Sequence, residues 1–290
     1  MPELPEVETV TRLIRPGVEG RRIRGAEVLW ARTTGGLDSG EFARQVEGKR
    51  IARAWRRAKW IVLDLEQRGA AAGHLLVHLR MTGRLHVVDA ADEFDPYERV
   101  RLELERGKAL QFLDVRKFGR FVFAEDTTDL FAQLGPEPLG EEFTAAWFRR
   151  SLRSRRRALK PLLLDQSFLA GLGNIYVDEA LFRARLHPLR HADKLPARSA
   201  DLLHAAIREV LAEAIKREGS SFDTFYRTPE GQPGSYQHQF QVYGRDGKPC
   251  RACGSTLRKL VVGQRGTHDC LRCQRPPRAA GLVTTSSSSS

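Results

Sequence analysis

The chain has 290 residues, 41% of them hydrophobic and 29% charged, which excludes a mostly disordered chain and predicts about two domains. Its 48 Lys and Arg outnumber 36 Asp and Glu, so the net charge of +12 points to a polyanionic partner, nucleic acid above all. No apolar run is long enough for a membrane span, and the acidic, proline-broken start excludes a signal or transit peptide.

The first predicted element is a helix over 5–15, with Val7, Val10 and Ile14 on one face and Pro16-Gly17 as its end. Alternation of apolar and charged residues then predicts strands at 21–30, 50–66, 74–88, 98–115 and 119–124. These strands indicate an antiparallel β domain, either a sandwich or a barrel.

A Gly- and Pro-rich stretch interrupts this pattern and predicts a first domain at 1–134 and a linker at 135–141. Beyond it, apolar residues from Leu202 to Ile215 recur with a helical period, and Gly219 is expected to end that helix. Residues 219–240 lack a period and predict a long loop at the end of a helical domain at 142–240. The serine-rich end predicts a disordered tail at 277–290.

The four cysteines form two CxxC pairs, Cys250/Cys253 and Cys270/Cys273, with 16 residues between the pairs. This spacing is typical of a tetrahedral Zn²⁺ site, whereas disulfides or a redox pair are the alternatives. Because four thiolates leave no open coordination position, we expect a structural zinc ion that fixes a basic hairpin. His268 would be a superfluous fifth ligand, so we expect it at the surface.

Eight segments, in order, resemble the formamidopyrimidine-DNA glycosylase family of bacterial base-excision enzymes for oxidised purines. They are Pro2–Thr9, Arg57–Trp60, His78–Gly83, Asp114–Gly119, Leu134–Leu139, Gly171–Tyr176, Gln241–Arg245 and the two CxxC pairs. The resemblance implies an α+β fold: an N-terminal antiparallel β-sandwich with a leading helix, then a helical domain with a helix–two-turn–helix motif and a four-cysteine zinc finger at 241–276. It also implies a monomer with one structural Zn²⁺ that acts on double-stranded DNA containing oxidised bases, in the cytoplasm and in association with the nucleoid.

The resemblance assigns catalysis to Pro2, Glu3, Lys59 and Arg265. Removal of Met1 would leave the secondary amine of Pro2, and an α-amino group titrates near pH 8, so a fraction is nucleophilic and can attack the sugar C1′. Glu3 would be the general acid, Lys59 the proton donor in β-elimination and Arg265 the one in δ-elimination. Without the family, Pro2 would only start a helix, Glu3 would complement the helix dipole and Lys59 would be solvent-exposed.

The other implied contacts concern the DNA and the extruded base. A base inside a duplex must be flipped out, and Met81, Arg116 and Phe118 match the side chains that fill the resulting hole. Backbone phosphates would be held by Arg155, Lys160, Asn174 and Tyr97. The lesion would be contacted by Glu6 and, from the capping loop 219–240, by Ser220 and Tyr236.

The chain departs from the family pattern at several positions. Tyr97 and Arg99 stand where the family usually has histidines, and Val115 replaces a proline; either of the first two side chains could take over the phosphate contact. Two other functions stay open from the sequence. One is the sister branch for oxidised pyrimidines, which typically begins Pro-Glu-Gly-Pro, and the other is a non-catalytic zinc-ribbon protein that binds nucleic acid.

Overall fold

The computed structural model describes residues 2–221 and 226–277, which form two compact units. Within these limits the first unit comprises 2–143, 164–173 and 208–239, and the second comprises 144–163, 174–207 and 240–277. The predicted tail at 277–290 lies, apart from its first residue, outside the described part of the chain. None of the helices in the described part combines the length and apolarity that a membrane crossing requires.

The first unit begins with helix α1, Leu4–Val18. Its predicted apolar face is buried in the core, namely Val7, Val10 and Ile14. The helix continues two residues beyond its predicted end at Pro16. A proline this close to the C-terminus removes only one backbone donor, and burial of Val18 offsets that loss.

Eight strands form two antiparallel four-stranded sheets in the first unit. In spatial order, the first sheet comprises β1 (Ile23–Val28), β6 (Glu98–Leu104), β7 (Lys108–Asp114) and β5 (Gly83–Asp89). The second comprises β2 (Arg50–Arg57), β3 (Trp60–Gln67), β4 (Ala70–His78) and β8 (Arg120–Ala124). All five predicted strand segments are confirmed; three of them, 50–66, 74–88 and 98–115, contain two strands with a turn between them.

Both sheets and α1 contribute to one hydrophobic core, so the β domain is a sandwich. Phe112 from the first sheet and Phe121 from the second lie in this core with ring centroids 5.9 Å apart. Shorter elements complete the unit: α2 (Ser39–Val46), α3 (Thr128–Ala132) and 3-10 turns at Ala31–Thr34 and Tyr236–Gln239.

The second unit is helical and ends in a two-stranded hairpin. Its elements are α4 (Ala145–Arg153), α5 (Leu159–Leu163), α6 (Asn174–Arg183), a 3-10 turn at Ala192–Lys194, the first part of α7 (Ala197–Lys216), β9 (Arg258–Val262) and β10 (Arg265–Asp269). Helix α7 confirms the helical period, and Gly219 adopts a left-handed φ of 77° and donates its N–H to the Ala214 carbonyl at 2.8 Å.

Candidate active site and nucleic-acid interface

Pro2 and Glu3 lie directly before α1, and a reciprocal cap holds the first turn of this helix. Pro2 and Glu3 are both buried. The Glu3 carboxylate accepts a hydrogen bond from the backbone N–H of Glu6, and the Glu6 carboxylate accepts one from the backbone N–H of Glu3 at 2.8 Å. A side chain at Gly173 would collide with the Glu3 carboxyl group, so glycine is required there for Glu3 to keep this position. Pro2 is thereby anchored at the positive end of the helix dipole.

The Glu6 carboxylate also ties α1 to the beginning of the predicted capping loop. It accepts hydrogen bonds from Ser220, at 2.7 Å from the backbone N and 3.1 Å from Oγ. Burial, reinforced by the Glu6 charge, raises the pKa of Tyr226, so its phenol is neutral. Tyr236 is only 1% exposed. The prediction that Tyr236 contacts the lesion does not fit this burial, since its ring packs inside the unit.

Lys59 lies in a two-residue turn between β2 and β3, and a carboxylate from outside the hairpin holds that turn. Ala58 adopts a left-handed φ of 53°, a conformation that an L-residue takes only at a cost. Glu137 accepts hydrogen bonds from the Ala58 backbone N at 2.6 Å, from Arg57 at 3.0 Å and from Arg56 at 2.7 Å. Lys59 itself is largely buried, which contradicts the exposed position expected for an ordinary strand lysine.

The charges around this turn fix the protonation of two neighbours. Burial alone would raise the pKa of Glu137, but the Arg56 and Arg57 guanidinium groups outweigh it and hold that pKa below its usual value. Burial, with the charges of Arg80 and Lys59, lowers the pKa of His78 to about 3. His78 is therefore a neutral imidazole next to Lys59 and does not compete with it as a proton donor.

The three side chains predicted to fill the hole in the duplex are all on loops, and two of them are unusually exposed apolar groups. Met81 is 38% exposed and Phe118 is 50% exposed, and the Arg116 guanidinium lies 4.9 Å from the Phe118 ring centroid. The residues immediately before Met81 and Phe118, which are Arg80 and Lys117, have left-handed φ values of 53° and 60°. Exposed Met and Phe side chains on strained turns are suited to insertion between bases.

Asp114 holds the two loops that carry these side chains together. Its carboxylate accepts hydrogen bonds from the Thr82 hydroxyl, from the Gly119 backbone N at 2.7 Å and from the Arg116 backbone N at 3.2 Å. Thr82 Oγ1 also accepts a bond from the Arg116 backbone N at 3.1 Å. Because Asp114 is fully buried, this cluster sets the spacing of Met81 and Arg116 before any DNA is bound.

In the second unit, Lys160 is fully buried and does not face solvent. Its ammonium group pairs with Asp178 at 2.5 Å and donates to the Gly266 carbonyl at 3.0 Å. The same carbonyl accepts a hydrogen bond from Asn174 Nδ2 at 2.8 Å, and Asp178 also binds the backbone N of His268 at 2.8 Å. The predicted contact between Lys160 and a DNA phosphate stays a prediction, while in this structure the ammonium group binds partners within the protein. The expected surface position of His268 is wrong, because His268 is buried.

The four cysteines form one compact cluster, which confirms the predicted metal site. All four sulfur atoms lie within 4.8 Å of one another, with 3.9 Å between Cys250 and Cys273 and 3.5 Å between Cys253 and Cys270. Tetrahedral Zn–S bonds of about 2.3 Å require sulfur separations of about 3.8 Å, so the cluster fits a structural Zn²⁺. Hydrogen bonding with Ser255 lowers the pKa of Cys253 to about 6, whereas burial raises the pKa of Cys250 and of Cys273. Zinc binding would therefore displace protons from those two thiols.

The hairpin between the two cysteine pairs presents Arg265 at its tip. Gly263 and Gln264 have φ values of 55° and 61°, as a type I′ two-residue turn requires, and exposed Arg265 follows them. At the other end, the Asp269 carboxylate binds Arg258 at 2.7 Å and 3.0 Å. The tip is therefore available to meet a phosphate while its base is fixed by charge and by the metal cluster.

Comparison with known proteins decides the family. The formamidopyrimidine-DNA glycosylase N-terminal domain matches residues 1–121, the H2TH domain of the same family matches 134–226, and a zinc finger found in FPG and IleRS matches 247–276. The chain belongs to the formamidopyrimidine-DNA glycosylase family. The sequence-based identification of the family, its α+β architecture and its zinc finger is thereby confirmed.

Individual relatives match the family along almost the whole chain. A formamidopyrimidine-DNA glycosylase from Chloroflexus aggregans is 45% identical over 278 residues, 94% of this chain and 98% of the relative. The crystal structure of the MutM (FPG) protein from Thermus thermophilus is 43% identical with a TM-score of 0.84, covering 96% of this chain and 100% of that one. A Lactococcus lactis FPG variant, solved with a DNA that contains Fapy-dG, is 35% identical with a TM-score of 0.86, covering 95% and 100%.

The positions where the chain departs from the family pattern are not equivalent in the structure. Tyr97 is 49% exposed, so its predicted phosphate contact stays a prediction. Arg99 is buried, and its guanidinium donates to the backbone carbonyls of Asp114 at 2.9 Å and Glu98 at 2.9 Å. Arg99 therefore connects the start of β6 with the end of β7. The expectation that Arg99 could substitute for a phosphate-binding histidine is wrong, because its guanidinium is buried and bound to the backbone.

Within the first unit, hydrogen bonds connect Glu3, Glu6 and Ser220, and Pro2 directly precedes Glu3 in the chain. Lys59 lies in a separate turn that Glu137 holds. Within the second unit, Asn174 and Lys160 converge on the strand that begins at Arg265, while Arg155 is exposed on a loop. Sequence reasoning missed three supporting carboxylates, Glu137, Asp114 and Asp178. The first two lie inside segments that carried the family resemblance, but no local pattern shows which partner a carboxylate will meet across the fold.

Proposed function

We propose that this chain is a bifunctional DNA glycosylase and abasic-site lyase that excises oxidised purines, such as 8-oxoguanine and formamidopyrimidines, from double-stranded DNA. Family membership supports the reaction class. The observation that supports the residue assignment is the burial of Pro2 and Glu3 at the N-terminus of α1, where the Glu6 carboxylate binds the Glu3 backbone N–H.

In the proposed reaction, the unprotonated Pro2 nitrogen forms a bond to the sugar C1′ as the bond from C1′ to the base breaks. The base leaves with that electron pair and takes up a proton, and the sugar ring opens to an iminium ion. A secondary amine gives an iminium that stays positively charged without further proton loss. This cation acidifies C2′, so loss of a C2′ proton can expel the 3′ phosphate in β-elimination.

Glu3 and Lys59 are the proposed proton carriers in the first unit. Glu3 is adjacent to Pro2 in the chain and is assigned the protonation of the opening sugar. Lys59 is assigned the proton donation that accompanies β-elimination, and Arg265 is assigned the same role in the following δ-elimination. Zn²⁺ bound by the four cysteines supplies no chemistry; it would hold the hairpin that presents Arg265.

Extrusion of the damaged base is assigned to the exposed loop side chains. Phe118 would wedge between base pairs, Met81 would occupy the vacated space, and Arg116 would hydrogen-bond the orphaned cytosine. Unstacking costs a few kcal/mol, and insertion of apolar wedges offsets that cost. Exposure of Met81 and Phe118 on the same unit as Pro2 favours the oxidised-purine branch over the sister branch. Asn174 and Arg155 would hold backbone phosphates, and the substrate implies a cytoplasmic, nucleoid-associated location.

The proposal is tested by borohydride trapping on a duplex with 8-oxoguanine opposite cytosine. We expect a covalent adduct between protein and DNA, because reduction converts the iminium into a stable amine. Pro2→Gly is expected to lose most of the adduct, and a chain that retains Met1 is expected to form none. An undamaged duplex serves as the control.

Three outcomes separate the alternatives. An undiminished adduct with the blocked chain would place the nucleophile on a lysine and contradict the assignment of Pro2. No adduct with any lesion in a panel, despite tight binding, would point to a non-catalytic binder. Preferential trapping on oxidised pyrimidines would point to the sister branch.

A further inference from the structure

A cleft in the second unit, at the opposite end of the zinc hairpin from Arg265, is lined by four arginines. It has a volume of about 500 Å³, and its charged side chains are Arg185, Arg190, Arg272 and Arg275. The remaining lining consists of Ala252 and two cysteines of the metal cluster, Cys253 and Cys273. Among the described residues that line the cleft, none is acidic.

The protein itself supplies no counterion to these arginines in the part of the chain that the structure describes. Within residues 2–221 and 226–277, none of the four forms an ion pair. The cleft therefore carries uncompensated positive charge, which an anionic ligand would neutralise. The zinc cluster does not neutralise the cleft, because four thiolates and one Zn²⁺ carry two negative charges against four positive charges from the arginines.

Arg185 lines the cleft from just beyond the end of α6. Its left-handed φ of 55° and the hydrogen bond from the Leu186 backbone N to the Leu181 carbonyl, at 2.9 Å, end that helix. The side chain of Arg185 is exposed and adds its charge to the cleft.

We propose that this cleft binds a phosphodiester group of duplex DNA that flanks the lesion; the proposal rests on the proposed function, which supplies the duplex. Guanidinium groups bind phosphate oxygens in a bidentate manner, and several of them around one cleft select a phosphate over an isolated carboxylate. The site is distinct from the phosphate contact of Arg265. Strand β10 spans four residue steps from Arg265 to Asp269, or about 13 Å at about 3.3 Å per residue, and the cleft lies beyond that.

The separation predicts which part of the DNA is bound. Duplex DNA rises about 3.4 Å per base pair, so the cleft would reach a phosphate about four or more base pairs beyond the one at Arg265. A duplex that ends before that point would lack this contact, whereas a longer one would make it.

The test compares Arg272→Gln/Arg275→Gln with wild type on two duplexes that contain an abasic-site analogue. One ends about three base pairs from the analogue on either side and the other is extended on both sides by about one helical turn. For each, the dissociation constant is measured as a function of salt. The matched control is Arg150→Gln/Arg198→Gln, which removes two exposed arginines of the same unit that lie outside the cleft.

We expect the salt slope on the long duplex to fall by about 0.9 for each phosphate that the variant no longer binds, with no change on the short duplex or in the control. Arg185→Gln, which is remote in sequence from the cysteines, is expected to act in the same direction. An equal loss of affinity on both duplexes, or an unchanged slope on the long one, would overturn the proposal.

Zinc content is measured for every variant. Loss of zinc from the Arg272/Arg275 variant, with an unchanged slope for Arg185→Gln, would show instead that the arginines only balance the charge of the thiolates. The proposed function can fail while the cleft proposal holds. In that case wild type gives no borohydride adduct with lesion-containing duplexes, but the salt slopes still depend on the length of the duplex.

Discussion

Glu137 supplies the sharpest test of how the fold controls catalysis, because it touches no substrate in the proposed reaction yet holds the Lys59 turn. Glu137→Gln removes the charge that pairs with Arg56 and Arg57 and weakens the acceptor for the Ala58 backbone N–H. Hydrogen bonds to charged groups contribute about 1.5–3 kcal/mol each, but these are not additive and the carboxylate is partly exposed. Arg56 also keeps its bond to Glu8. We therefore expect the free energy of unfolding to fall by about 2–3 kcal/mol.

The catalytic effect should exceed the effect on stability. Without Glu137 the left-handed turn at Ala58 can relax, and a displacement of Lys59 by about 1 Å costs on the order of 100-fold in rate. Elimination at a preformed abasic site, followed by gel electrophoresis under single-turnover conditions, should slow by about 10- to 100-fold. Borohydride trapping should change little, because it requires the Pro2 adduct and not the Lys59 proton.

Glu141→Gln is the matched control, since Glu141 is exposed in the same segment. Circular dichroism in denaturant shows whether each variant is folded under the conditions of the kinetic assay. If Glu137→Gln is folded and eliminates at the wild-type rate, the bracing of Lys59 by Glu137 is irrelevant to catalysis and the reasoning is refuted.

The same interaction predicts a pH dependence of stability. Because the folded state holds the pKa of Glu137 below its unfolded value of about 4.3, the stabilisation is complete above that value. It is lost as the pH falls through the lower, folded pKa. Wild type should therefore lose more stability than Glu137→Gln between about pH 5 and pH 3, to roughly the extent of the interaction; parallel curves for the two proteins would contradict the assignment.

Three further predictions concern the supporting network. Lys160→Met should lower the free energy of unfolding by about 3–5 kcal/mol, because it leaves Asp178 buried without its partner. The double variant Lys160→Met/Asp178→Leu should recover part of that stability, and the salt dependence of DNA binding should not change. A weaker salt dependence at unchanged stability would show that Lys160 contacts a phosphate. Asp114→Asn should reduce the preference for cytosine opposite the lesion by about 10-fold, measured as excision rates opposite each base, because Arg116 loses its anchored backbone; unchanged preference would exclude Asp114 as a positioning residue. Removal of zinc by a chelator should abolish tight DNA binding while the near-ultraviolet signal of the β-sandwich remains, and retained affinity would show that the Arg265 hairpin is not needed.

The sequence was sufficient for the features that repeat or that lie in local motifs. The periods of α1 and α7, the strand segments and the cysteine spacing were all confirmed, because each depends on residues close together in the chain. Arg101 shows where such reasoning stops. Arg101 alternates with the apolar residues Val100 and Leu102, which indicated a strand but not the surroundings of the charge. In the structure Arg101 is buried, paired with Glu98 at 2.7 Å and stacked over Phe94.

The unexpected burial of three residues has the same origin. Lys160, Arg99 and Tyr236 were assigned to DNA or to the lesion from residue type and motif alignment, and all three are buried in the structure. In a sequence, a long polar side chain in a family motif indicates a ligand-binding group. Whether that side chain is buried depends on segments that are distant in the chain. Conversely, Glu137, Asp114 and Asp178 carry no signal of their own, because a positioning carboxylate is recognised only by the donors that surround it.

Left-handed backbone conformations before three proposed functional residues have a consequence for attempts to raise the thermal stability of this protein. The residue immediately before Lys59, Met81 and Phe118 is in each case a non-glycine residue with a φ between 53° and 60°. Glycine at these three positions would release about 1–2 kcal/mol of local tension apiece, yet it would also let each following side chain swing. Variants selected only for thermal stability would therefore tend to lose the positioning of Lys59, Met81 and Phe118 and with it their activity. Stabilising substitutions should be made elsewhere in the molecule.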